Sequence, residues 1–226
     1  MAGEVAAVVF DLDGVLIDSE PVWEQVRREY VRRHGGSWRE DAQSRLMGMS
    51  TEEWASYLAG ELGVDQPPEE VAREVLERMG ERYGQEPPLL DGAVKAVERI
   101  GSRWPLGLAS SSSRGLIDLV LRAAGMERWF KATVSTEEVP RGKPAPDVYL
   151  EVARRLGVDP GACVAVEDSS NGVRSAAASR MRVIAIPTER YLLDPDAAAT
   201  ASLTLHRLDE LTVDSVEAAR ASSRDD

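Results

Sequence analysis

The sequence predicts an α/β fold built on a parallel sheet and interrupted once by an all-helical insertion. Three observations predict it. Short apolar runs rich in β-branched residues stop abruptly at acids, hydroxyls or a lysine, as expected of parallel strands covered on both faces. Segments of helical composition alternate with these runs through the second half of the chain. Between Asp18 and Gln85 there is no comparable run, so the expected division is a core of residues 1–17 and 86–226 and a helical insertion of residues 18–85.

The first run, Val5 to Phe10, leads into Asp11-Leu12-Asp13-Gly14. Open α/β sheets bind ligands at the carboxyl ends of their strands, so this loop is placed to do chemistry. If extended geometry persists through Leu12, the Asp11 and Asp13 carboxylates lean the same way. Gly14 can turn the backbone sharply. Two carboxylates held together repel unless a cation joins them, and a hard divalent ion such as Mg²⁺, shared with a substrate phosphate, suits them. The alternative is that both acids only cap a helix and solvate a turn.

A helix is expected from Val22 to His34, with Val22, Val26 and Tyr30 at helical spacing and Gly35-Gly36 ending it. Arg27, Arg28, Arg32 and Arg33 are expected on its solvated face. Trp23 either packs under this helix or lines an active-site mouth. Ser50-Thr51-Glu52-Glu53 reads as the next helix start, with Trp54, Leu58 and Leu62 on one face. Pro67-Pro68 opens another, carrying Val71, Val75, Leu76 and Met79.

After the insertion, Gly92 to Ile100 forms a short amphipathic helix and Pro105 to Ala109 a second strand, which ends in four serines, Ser110 to Ser113. Alone, such a run suggests a linker; at a strand-to-helix corner before Arg114 to Ala124, its hydroxyls and N–H groups suit a phosphate. Ala132 to Ser135 is a further strand, and Pro144 and Pro146 set up a helix from Val148 to Leu156. Cys163 to Val166 is the third strong strand, ending in Glu167-Asp168-Ser169-Ser170-Asn171-Gly172. That repeats the pattern of buried strand, acids, glycine. Arg182 to Ile186 gives another strand, Leu203 to Leu205 an edge strand and Asp209 to Ala219 the last helix, with Ser222 to Asp226 a frayed end.

At 226 residues the chain can bury a full core. Its net charge of -12 argues against nucleic acid or an anionic membrane as partner. No stretch approaches the roughly 20 apolar residues of a membrane span, and Met1-Ala2-Gly3-Glu4 lacks a basic leader, so the cytoplasm is expected. Cys163 is the one cysteine and reads as a small core residue. His34 and His206, the two histidines, both look peripheral, which leaves carboxylates as the acid/base groups. Only three of the 27 basic residues are lysines: Lys95, Lys131 and Lys143. A compact ammonium between phosphate and carboxylate is a reason to place lysine at position 143.

Four strand ends carrying acids, hydroxyls, a lysine and acids again would meet at one sheet edge. These residues resemble the haloacid dehalogenase superfamily of phosphohydrolases, in the branch of β-phosphoglucomutase and the small sugar-phosphate phosphatases. The motifs that carry the resemblance are Asp11 to Glu20, Leu108-Ala109-Ser110, Gly142 to Asp147 and Glu167 to Gly172. The resemblance implies a Rossmann-like three-layer core with an inserted all-helical cap of the C1 type. It implies Asp11 as nucleophile and Asp13 as general acid/base, Ser110 and Ser111 on the transferring phosphoryl group, and Lys143 bridging that group to the nucleophile. It further implies Mg²⁺ held by Asp11, the carbonyl of Asp13, Asp168 and, directly or through water, Glu167.

Within the family, cap residues 18–85 contain no lysine for Schiff-base phosphonate chemistry. Asp13 weighs against the metal-free dehalogenases. The mutase pattern asks for an arginine after Gly-x-Ser and a histidine after the acidic loop; here Thr51 follows Gly48-Met49-Ser50 and Trp23 stands near the histidine's place. The expected activity is Mg²⁺-dependent hydrolysis of a small phosphomonoester, a sugar or sugar-alcohol phosphate, through an aspartyl phosphate. A phosphosugar mutase and a non-catalytic phosphosugar sensor are the alternatives. Glu20, Trp23, Thr51 and Arg45 are candidate substrate contacts, and the protein is expected to act as a monomer on a small phosphorylated metabolite.

Overall fold

The computed structural model describes residues 4–46, 49–188 and 192–221. The chain divides into two compact units, one of Met1–Asp18 with Pro87–Asp226 and the other of Ser19–Glu86.

The larger unit is an α/β domain. Its strands are β1 (Ala7–Phe10), β2 (Leu106–Ser110), β3 (Phe130–Ser135), β4 (Cys163–Glu167), β5 (Arg182–Ala185) and β6 (Leu203–Thr204), in the spatial order β3-β2-β1-β4-β5-β6. Every neighbouring pair is parallel. The chain therefore leaves β1 to one side to build β2 and β3, and returns to the other side for β4 to β6. That reversal creates a switch point beside β1, where the carboxyl ends of β1 and β4 part their following loops. Strands β1, β2 and β4 are buried throughout, which explains why they read as apolar runs.

Alternation within the strands sorts the two faces. Ala7 and Val9 of β1, Cys163 and Ala165 of β4, and Val183 and Ala185 of β5 share one core with Val148, Tyr149, Val152 and Ala153, and with Val173 and Ala176. These last residues lie on α7 (Asp147–Leu156) and α8 (Ser170–Ala178). Val8, Phe10, Leu108, Val164, Val166 and Ile184 are buried on the opposite face. There Phe10 meets Phe130 edge to face, with ring centroids 6.2 Å apart. The remaining helices of this unit are α5 (Ala93–Gly101), α6 (Arg114–Ala123), α9 (Pro195–Thr200) and α10 (Val213–Ala221).

The smaller unit is helical: α1 (Glu20–Arg33), α2 (Ala42–Leu46), α3 (Thr51–Gly60) and α4 (Pro68–Gln85). Ser50 caps α3, accepting from Glu53 N–H while Glu53 accepts from Ser50 N–H, so the S-x-x-E signal works as a capping box. Val26, Tyr30, Trp54, Leu58, Val71, Val75 and Met79 are buried. No helix among the described residues is long and apolar enough to cross a membrane.

Several sequence expectations need correction. Arg27 is not on a solvated face but is 6% exposed, with its guanidinium 4.4 Å from the Trp23 ring centroid and 5.1 Å from that of Trp54. Flat aromatic faces on a weakly hydrated cation make this burial tolerable. Burial still lowers the Arg27 pKa to about 10, with nearby Glu20 opposing the shift. Leu76 is only half-buried, and strand β1 starts at Ala7 rather than Val5. The last helix starts at Val213, because Leu208–Glu210 forms a separate 3-10 turn. Ser169 caps α8 by accepting the Gly172 N–H, so Ser170 to Gly172 form the first turn of that helix. Gly48 of the Gly-x-Ser motif and the end at 222–226 lie outside the described residues.

Candidate active site

The carboxyl ends of β1, β2 and β4, with the loop before α7, bring the polar residues of four separated motifs together. Asp11 follows β1 directly and donates its N–H to Val166 O at 2.9 Å, which locks the β1 end to β4. Gly14 sits at φ +78°, a left-handed value that glycine adopts without penalty. A Cβ at Gly14 would also overlap the Asp168 carboxylate. The glycine thus serves two needs, a turn and a close approach.

Asp13 Oδ2 accepts from Ser112 Oγ at 2.8 Å and from Ser110 Oγ at 3.2 Å. Ser110 Oγ in turn accepts the Ser112 N–H at 2.9 Å, and Ser135 Oγ donates to Ser112 O at 2.7 Å. Ser112 and Ser135 were missed by sequence reasoning. Of the serine run Ser111 is the exposed one, while Ser112 turns inward. The signal that could have found Ser112 is parity: two residues beyond Ser110 at a strand end, it returns to the same side.

Lys143 Nζ lies 2.9 Å from Asp11 Oδ1 and 2.6 Å from Glu167 Oε1, with its side chain 6% exposed. Burial alone would drive the ammonium to release its proton, but the Asp11 and Glu167 carboxylates overrule it and raise the Lys143 pKa. Glu167 has no solvent exposure and also receives the Tyr149 hydroxyl at 2.6 Å. Its other oxygen accepts the Asp168 N–H at 3.2 Å and the Ser169 hydroxyl at 3.3 Å.

Ligand oxygens of Asp11, Glu167 and Asp168 lie within 4.8 Å of one another. Burial, only partly countered by Lys143, raises the Asp11 pKa from 3.8 to about 8, with Glu167 and Asp13 adding repulsion. Burial followed by Glu167 and Asp11 raises that of Asp168 well above its ordinary value. The acids are therefore short of positive charge. An all-oxygen set with excess negative charge fits a hard divalent cation of the kind that carboxylates and phosphates share. The Asp13 side chain is not in that cluster; it belongs to the serines.

Of the remaining candidates, Glu20 Oε2 accepts from Gln43 Nε2 at 2.6 Å within the helical unit. Trp23 is half-buried there, its ring 6.1 Å from that of Trp54. Thr51 is the first residue of α3, and Arg45 meets the Tyr57 ring at 4.7 Å.

The chain resembles known proteins over most of its length. The chain is 35% identical over 212 residues to hexitol phosphatase B of Escherichia coli K12, covering 92% of this chain and 95% of that protein. It is 31% identical over 182 residues to the fructose-1-phosphate phosphatase of the same organism, over 79% and 95% of the two chains. The crystal structure of CbbY from Rhodobacter sphaeroides in complex with phosphate superposes with a TM-score of 0.83 at 25% identity, over 94% of this chain and 99% of that one. The sequence pattern of the haloacid dehalogenase-like hydrolases matches residues 5–180. With four motifs on the strand ends of a parallel sheet and a match over most of its length, this chain belongs to the haloacid dehalogenase-like hydrolase family.

Proposed function

We propose that the protein is a Mg²⁺-dependent phosphatase that hydrolyses a small sugar or sugar-alcohol phosphate through an aspartyl phosphate. The observation that carries this reading is the separation of two neighbouring aspartates into different surroundings. Asp11 faces Lys143 and the acid cluster, while Asp13 faces two hydroxyls. One carboxylate is thereby equipped to attack and the other to move a proton.

In this reading Asp11 attacks phosphorus, and its Coulomb repulsion with a phosphate oxygen, about 4 kcal/mol per unit pair at 4 Å in an intermediate dielectric, is offset by Lys143. Ser110 and the N–H groups of the serine corner hold the phosphoryl oxygens. Asp13, held by Ser110 and Ser112, protonates the leaving alkoxide and then deprotonates the attacking water. Mg²⁺ would be held by Asp11, Asp168 and the carbonyl of Asp13, with Glu167 beside it, and would supply charge neutralisation on the transferring group. The helical unit is read as the substrate-selecting cap, with Glu20, Trp23 and Thr51 as its contacts.

The names of the relatives, one acting on hexitol phosphates and one on fructose 1-phosphate, support a phosphorylated polyol or ketose as substrate. Hydrolysis is preferred to mutase chemistry because Trp23 and Thr51 provide neither the imidazole nor the guanidinium that the mutase pattern uses. The test is inorganic phosphate release from a panel of sugar and sugar-alcohol phosphates, with and without Mg²⁺. Metal-dependent release without a bisphosphate activator is expected. Interconversion of β-glucose 1-phosphate and glucose 6-phosphate would establish the mutase instead, and absence of turnover on every phosphomonoester would leave the sensor.

A further inference from the structure

Glu167 is the most completely used side chain of the site. It follows Cys163 and Ala165 on the face of β4 that packs against α7, and Tyr149, in the first turn of that helix, is buried opposite it. Glu167 Oε1 accepts both the Tyr149 hydroxyl and the Lys143 ammonium at 2.6 Å. Oε2 accepts from Asp168 N–H and the Ser169 hydroxyl. A Cβ at Gly172 would overlap the same carboxylate, so the turn of α8 closes the remaining side. A carboxylate offers about four acceptor sites, and here they are taken by protein donors. Turning Glu167 toward a cation would take this acceptor from the buried Tyr149 hydroxyl, which is costly, and would leave the Lys143 ammonium with Asp11 alone. Asp11 and Asp168 carry no comparable set of protein donors among the described residues.

We propose that Tyr149 is a positioning residue for Lys143, acting through Glu167. The phenol fixes the carboxylate, and the carboxylate fixes the ammonium where it meets Asp11. Lys143 Nζ also lies 5.3 Å from the centroid of the Tyr149 ring. A phenylalanine keeps that ring and removes only the hydroxyl, which isolates the link. The inference goes beyond the phosphatase reading and rests on it only where turnover is measured.

The test uses Tyr149→Phe in [15N]lysine-labelled protein with Mg²⁺ present. Lys95 and Lys131 are exposed, so their ammonium protons exchange with water quickly, and the buried Lys143 ammonium gives the persistent ¹H–¹⁵N signal, assigned by its loss in Lys143→Arg. In Tyr149→Phe that signal is expected to shift or broaden beyond detection. The kcat for p-nitrophenyl phosphate is expected to fall roughly tenfold with KM within about twofold. Calorimetric Mg²⁺ affinity is expected to stay within about threefold. An unchanged Lys143 signal overturns the proposal whatever the kinetics do. So does a loss of Mg²⁺ affinity of about tenfold or more, which would assign the Tyr149–Glu167 pair to the cation. Should Tyr149→Phe melt below the assay temperature, Glu167→Asp, which withdraws the carboxylate from both donors, is read by the same signal. The signal and the calorimetry need no substrate, so their failure is distinct from failure of the phosphatase reading.

Discussion

Lys143 meets Glu167 at 2.6 Å in a spot where Glu167 is wholly shielded from water. Such a pair is not primarily a source of stability, because desolvating two charges costs about what their attraction returns. Its effect is to hold the ammonium beside Asp11.

Asp11→Asn keeps the shape of the side chain and removes its nucleophilic charge. We expect the variant to fold with a circular dichroism spectrum like that of the parent and to lose more than about a thousandfold in kcat. Steady-state phosphate release at the parental rate would eliminate the covalent route.

Metal removal has a pH-dependent signature. The Asp11 carboxyl has a folded pKa of about 8 against 3.8 in the unfolded chain. Between those values the folded protein binds more protons than the unfolded one, so the free energy of unfolding falls as pH rises. A divalent cation takes the place of the bound proton. The rise in Tm caused by Mg²⁺ over EDTA should therefore grow between about pH 5 and pH 8. A pH-independent difference, measured by scanning fluorimetry, would contradict the cation assignment.

Gly172→Ala places a methyl group in the Glu167 carboxylate, which its protein donors prevent from moving aside. A loss of about 1–3 kcal/mol in stability is expected, readable by urea denaturation. Turnover should fall with it. Gly115→Ala, in α6 with open space around the new atom, is the control and should be neutral or stabilising.

Glu138 ties the start of the lysine loop to the domain. It accepts the Ser135 N–H at 2.9 Å, Arg114 Nη2 at 2.6 Å and Arg155 Nη2 at 2.8 Å. Burial works against its charge, but these donors prevail and lower its pKa. A lowered carboxyl pKa gives stability that is present above the unfolded value, 4.5, and is lost as pH falls below it. Glu138→Gln should cost about 1–3 kcal/mol at pH 7, and the gap to the parent should close in acid. A gap that widens in acid would show that the contacts do not act through charge.

Much of the fold was legible because strand β1, β2 and β4 residues are buried on both faces and carry no polar interruption. The strand-end acids, Ser110 and Lys143 were legible as well, since polar residues break those runs where a crevice opens. The burial of Arg27 was not. Its charge put it on the solvated face of α1, and only the approach of Trp54 from α3, beside Trp23 one turn earlier in α1, makes an aromatic slot for the guanidinium. Tyr149 was hidden for a similar reason. Its place in the core of α7 conceals that its hydroxyl reaches a carboxylate 18 residues away. Helix α9 was missed because Pro195–Thr200 is short and rich in alanine, without the periodicity that marks a helix.

The alternation along β4 has a consequence for how this enzyme can change. Cys163, Ala165 and Glu167 look toward α7 because they are two apart. Deleting or inserting a single residue within 163–167 would exchange the two sides of the strand, and Glu167 would turn away from Tyr149 and Lys143. Length variation is thus open to the loops between strands and closed to β4, whose phase ties the interior of the sheet to the placement of one ammonium group.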